Sequence, residues 1–194
     1  MTIALLRGIP QASRAEAARL YWQAFGGKLG RVLGPETRAL PFVQAVMRAD
    51  QAFVAMGQDG RLLGMAGFRS DEGSFAGGSV EDVQAHYGRL GAAWRLPLLW
   101  ALGRETQNDD FALDGICVAE NARGLGIGSA LIGAICDEAR ARGHSAVRLE
   151  VVDSNPRARA LYERLGFVVT QETPIGALRV VFGFRAALTM IKPV

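Results

Sequence analysis

The sequence predicts one α/β domain. Segments with the twofold alternation of strands are interleaved with segments of helical spacing, and a cluster of three glycines, Gly124, Gly126 and Gly128, joins a strand pattern to a helix pattern. No linker, repeat or low-complexity tract divides the 194 residues.

Taken in order, Ile3 to Leu6 reads as a first strand. Ser13 and Glu16 have the spacing of a capping box, ahead of Ala17, Leu20, Tyr21 and Ala24 at helical intervals. Gly26 to Pro35 reads as a glycine-rich loop, and Phe42, Val43, Val46 and Met47 as part of a second helix. Ala52 to Met56 and Leu62 to Phe68, joined by a turn at Asp59-Gly60, predict a hairpin. Residues 70–78 read as a mobile loop. A broken helical insert with Trp94, Pro97 and Trp100 is expected over about residues 79–105.

The strand Phe111 to Val118 leads into the glycine cluster. The helix after it carries an apolar stripe at Leu131, Ile132, Ile135 and Ala139 and stops near Gly143. Ala146 to Val152 alternates as a strand. Asn155 and Pro156 start a helix whose stripe is Ala158, Leu161, Tyr162 and Leu165, closed by Gly166. Phe167 to Gln171 and Leu178 to Ile191 complete the chain as strands, the last bulged at Gly183.

Composition narrows the function. Of 22 basic residues twenty are arginine, scattered among 19 acids for a net charge of +3, with no basic run to grip nucleic acid or an anionic membrane. Two cysteines, Cys117 and Cys136, are too few for a disulfide framework or a four-ligand zinc site and read as small buried hydrophobes. No metal is expected. The N-terminus lacks a signal-peptide pattern and no apolar run would span a bilayer, so a cytoplasmic protein is expected.

Glycines clustered where a helix begins mean that something approaches the backbone closely, and free N–H groups plus the helix dipole suit an anion. A Walker loop is excluded, because no lysine lies near. A dinucleotide fingerprint fits poorly: Ser129 replaces the third glycine, and too little chain follows for a second nucleotide-binding half. Arg123 to Gly128, "RGLGIG", instead resembles the pyrophosphate loop of the GNAT N-acetyltransferases, whose cosubstrate is acetyl-CoA. "LEVVDSNPRARALYERLGF", Leu149 to Phe167, resembles that family's following strand and C-terminal helix. The likeness is good over residues 111–170, fainter over Ile3 to Phe68, and absent from Ser70 to Asp110.

The resemblance implies a mixed, mostly antiparallel central sheet flanked by helices, within one GNAT-like domain spanning residues 1–194. It implies that the main chain of Gly124, Leu125, Gly126, Gly128 and Ser129 holds the pyrophosphate of coenzyme A, with Arg123 shaping the loop. Main-chain groups near Ile116 and Val118 would bond the pantetheine arm where two strands splay apart, and Asn155 would contact the coenzyme or serve as an N-cap. Tyr162 matches the tyrosine that protonates the departing thiolate. The resemblance does not choose a general base. Asp114 is the candidate because a carboxylate inside an apolar strand is rarely idle, and alternation places it on the face of Ile116 and Val118. Glu150 is expected to pair with Arg148. The acceptor would be a small-molecule or peptide amine, with a homodimer left open. A non-catalytic acyl-CoA sensor of the same fold is the alternative.

Overall fold

The computed structural model describes residues 3–103 and 111–194. The last two residues of the expected insert, 104–105, lie outside them. Among the described residues the strands are β1 (Ile3–Arg7), β2 (Ala52–Gly57), β3 (Leu62–Ser70), β4 (Gly73–Ser74), β5 (Ala112–Val118), β6 (Ala146–Val152), β7 (Val168–Pro174) and β8 (Ala186–Pro193). The helices are α1 (Arg14–Leu33), α2 (Glu36–Val46), α3 (Val80–Gly103), α4 (Ile127–Ala141), α5 (Pro156–Arg164) and α6 (Arg179–Phe182).

The strands form one sheet in the order β1-β2-β3-β5-β6-β8-β7, with the short β4 beside β3. Every pairing is antiparallel except β5 with β6. Strand alternation splits the core in two. On one face Ala55, Leu113, Val147, Leu149 and Val151 pack on the stripe of α4, Leu131, Ile132, Ile135 and Ala139, and on Tyr162 of α5. On the other, Val54, Met65 and Cys117 pack under α1, α2 and α3. Asn155 caps α5 through its Oδ1, which accepts from the Ala158 N–H at 3.2 Å. Among the described residues no helix is long and apolar enough to cross a membrane.

The structure corrects several expectations. Gly26 to Leu33 is not a loop: α1 runs through it and ends at Gly34. The glycines serve close packing, since the Trp22 indole lies against the helix and a Cβ at Gly26 would meet it at 2.8 Å. The capping box does not form, because Ser13 closes a 3₁₀ turn in helical geometry and its side chain makes no cap bond. Residues 70–78 are anchored by β4 and by Phe75, which is fully buried and exchanges main-chain bonds with Phe68 and Arg48. The interruption in α3 falls at Gly88, whose φ of 71° no helix accepts, and Pro97 is accommodated. Finally, only Ala186 onward is strand in the last segment. Arg179–Phe182 coils into α6, so that Phe182 and Phe184 reach Val32 on α1, and Arg31 donates to the carbonyls of Val180 and Val181.

Candidate active site

β5 and β6 run side by side for two residue pairs only, Ala112 with Arg148 and Leu113 with Leu149, and then part. The cause lies in β5. Gly67 of β3 pairs with Gly115 and Phe68 with Leu113, so Asp114 is an extra residue, and such a bulge bends its strand. A cavity of about 1280 Å³ passes through the gap. It is lined from the α4/α5 face by Gly128, Asn155 and Tyr162, and from the other face by Tyr21, Lys28 and Asp114.

The bulge also overturns the alternation expected for Asp114. Ile116 and Val118 pack toward α4, as does Leu113, whereas Asp114 turns toward α1, on the side of Cys117 and Tyr21. Its Oδ2 accepts two bonds, from Ser74 Oγ at 2.6 Å and from the Ala76 N–H at 3.0 Å. Its Oδ1 accepts none from the described residues and the side chain lines the cavity. Burial, and next the Asp114 charge, push the Tyr21 hydroxyl far above its ordinary range, so Tyr21 is a neutral wall of the site.

On the opposite face, the segment after β5 turns through Gly124 and Gly126, both left-handed with φ of 81° and 77°, into the first turn of α4. Among the described residues no hydrogen bond uses the main-chain N–H of Gly124, Leu125, Gly126, Gly128 or Ser129. The space beside the two left-handed glycines is open. A row of free donors at the positive end of a 15-residue helix makes a cradle for an anion. Gly128 faces α5, where a Cβ would make an ordinary contact with Leu161 at 3.4 Å. Arg123 stands at the rim, exposed and paired loosely with Glu120 at 3.8 Å.

Tyr162 is buried, with its ring edge-on to Phe167 at 5.9 Å, and lines the cavity. Burial pushes its hydroxyl up to about 12. That hydroxyl makes no hydrogen bond to any described residue, so its proton is uncommitted. Asn155 serves as the α5 cap and also lines the cavity.

Glu150 pairs with Arg148 at 3.2 Å, as its place on the same strand face suggests. Lys28 is hidden in the sequence, inside the glycine stretch that has the look of a loop. Its Nζ lies 5.2 Å from the centre of the Phe184 ring. Burial lowers its pKa, and the nearby Glu150 charge offsets only part of that. The signal that could find it is spacing: Tyr21, Phe25 and Lys28 recur at helical intervals on the cavity side of α1. The two histidines lie outside the cavity, His86 bonding the Arg38 carbonyl at 2.8 Å and His144 packing on Phe111. Among the described residues no cluster of His, Cys, Asp or Glu could hold a metal ion.

The model of the acetyltransferase (GNAT) family matches residues 15–167. No curated protein matches the chain in sequence. Among solved structures, a nourseothricin acetyltransferase is 26% identical with a TM-score of 0.50, over 73% of this chain and 64% of that one. The chain thus spans less than two thirds of that relative's length. An agmatine N-acetyltransferase, a mutant in its apo form, aligns over 99% of both chains at 17% identity and a TM-score of 0.65. A putative streptothricin acetyltransferase from Bacillus anthracis, in complex with acetyl coenzyme A, aligns over 74% of this chain and 61% of its own, at 15% identity and a TM-score of 0.51.

Proposed function

Because the chain belongs to the GNAT family of acetyltransferases, we propose that it moves the acetyl group of acetyl-CoA to a primary amine by direct attack within a ternary complex. The observation that carries this reading is the gap between β5 and β6, with uncommitted N–H donors and Tyr162 on one face and Asp114 on the other. The residues fit the coenzyme. The open space at Gly124 and Gly126 admits a pyrophosphate oxygen that a Cβ would obstruct, and β5 around Ile116 and Val118, paired with β3 but open on its β6 side, can bond pantetheine amides as an added strand would.

The coenzyme would supply an activated acetyl thioester. The chain's own groups then divide the work by face. Main-chain N–H groups of Leu125, Gly126, Gly128 and Ser129 hold the phosphates, with Arg123 at the rim and Asn155 beside the arm. A β5 N–H near Ile116 or Val118 polarises the reacting carbonyl. Asp114, with Oδ2 fixed by two donors and its side chain in the cavity wall, takes the proton from the incoming ammonium, directly or through water. Glu150 is already bonded to Arg148 at 3.2 Å. Tyr162 keeps its proton at neutral pH and presents it where the sulfur leaves.

The test is a thermal-shift titration with acetyl-CoA followed by release of free thiol across a broad amine panel. Stabilisation together with turnover of at least one amine is expected. Stabilisation with no turnover on any amine would instead make the chain an acyl-CoA sensor, and stabilisation by NAD(P) rather than acetyl-CoA would sink the coenzyme assignment.

A further inference from the structure

The acceptor side of the cavity contains one cation that no described carboxylate bonds. Arg148 is paired with Glu150. Asp114 is held by Ser74 and Ala76. Lys28, by contrast, makes no hydrogen bond or ion pair with any described residue: its ammonium rests on the Phe184 ring face, and the nearby Glu150 charge, already bonded to Arg148, offsets only part of the cost of its burial. A largely buried ammonium with no hydrogen-bonded anion gains from an anionic partner.

Its position excludes the coenzyme phosphates as that partner. Lys28 projects from α1, on the sheet face opposite the α4 N-terminus where the free N–H groups lie. It shares the α1 stripe with Tyr21, which faces Asp114, and lies seven residues along the helix, about 10 Å. The same side of the cavity continues into an apolar wall of Phe42, Val43, Leu96, Pro97, Leu99 and Trp100. A proton acceptor, a separate cation and an apolar wall thus line a single chamber.

We propose that Lys28 binds a carboxylate of the acceptor, so that the substrate class is primary amines that also carry a carboxylate on an apolar body. This rests on the acetyltransferase reading above. Lys28 is a specificity-determining residue in it, fixing the far end of the acceptor while the amine reaches Asp114.

Two matched pairs test the idea: 4-(aminomethyl)phenylacetate against 4-methylbenzylamine, and 6-aminohexanoate against pentylamine, each with wild type, Lys28→Met and Lys28→Arg. In wild type the carboxylate-bearing member of at least one pair should have the higher kcat/KM. Lys28→Met should cut that preference by about tenfold or more, the scale of one charge-assisted hydrogen bond, and Lys28→Arg should retain most of it. A preference that survives Lys28→Met, or a wild type that favours both decarboxylated twins, overturns the proposal. So does an acetyl-CoA dissociation constant that rises in Lys28→Met as much as the carboxylated kcat/KM falls, since Lys28 would then serve the coenzyme.

A readout independent of turnover separates this proposal from the one beneath it. Calorimetry with 3-phenylpropanoate, which has the carboxylate but no amine, should show binding to CoA-loaded wild type and at least about tenfold weaker binding to Lys28→Met. Binding that fails in wild type sinks the carboxylate site even if simple amines are acetylated. Binding without turnover of any amine keeps the carboxylate site and removes the acetyltransferase reading.

Discussion

Ser74 donates its hydroxyl to Asp114 Oδ2 at 2.6 Å, and this bond ties the segment after β3 to the bulge that opens the sheet. The proposed base and the scaffold therefore meet in one carboxylate, and two substitutions separate them. Asp114→Asn can still accept both bonds through its amide oxygen but cannot take a proton. Its kcat should fall about 10²-fold or more while acetyl-CoA affinity holds, at every pH where the amine is mostly charged. Ser74→Ala should do the reverse, costing about 1–3 kcal/mol in urea unfolding with a smaller loss of kcat. Wild-type turnover in Asp114→Asn would pass the role to Glu150 or to bulk water.

Gly126 tests the cradle. Aspartate is among the few residues that visit the left-handed region, so Gly126→Asp, at a φ of 77°, should fold at a cost of about 1 kcal/mol. Its carboxylate would then stand in the open space beside the free N–H groups and repel a pyrophosphate. Calorimetry should detect no acetyl-CoA binding to a protein whose circular dichroism is normal. An unchanged dissociation constant would mean that the phosphates are held elsewhere.

Tyr162→Phe removes one oxygen that bonds to no described residue and leaves the ring on Phe167. The melting temperature and acetyl-CoA affinity should stay close to wild type while kcat falls at least about tenfold. Full activity with a lowered melting temperature would make Tyr162 a packing residue only.

Alkaline stability follows from the buried acids. Tyr162 and Cys117 are both pushed up to about 12 by burial, from ordinary values of 10.0 and 9.0. In each the fold favours the protonated form. Their contribution is therefore whole below about pH 9 and is lost as pH rises through 12, because the unfolded chain gives up protons that the folded chain keeps. Urea midpoints should fall between about pH 8.5 and 11, less steeply in Tyr162→Phe. A midpoint that is flat over that range would show these groups to be hydrated. At about pH 8, Cys117 should resist alkylation until the protein is unfolded.

The sequence by itself determined what short-range patterns can encode. The α4 and α5 stripes, the Asn155 cap, the Asp59-Gly60 hairpin and the left-handed glycines all depend on residues within a few positions of one another. So did the family likeness, whose motifs lie together within residues 111–170. Tertiary packing decided the rest. Gly26 and Gly30 have the look of a loop, but the Trp22 ring, lying along their surface, makes them part of α1 and places Lys28 on the cavity wall. Counting in twos assigns Asp114 one face, and a partner strand 40 or more residues away in sequence inserts the bulge that reverses it. Likewise, Arg179–Phe182 has the composition of a strand and coils because Phe182 and Phe184 are drawn onto Val32. Local spacing fixes the hydrogen bonds and stripes that a segment can make alone. Which face a residue takes, and what lines a cavity, depends on contacts between distant segments that the chain acquires only on folding.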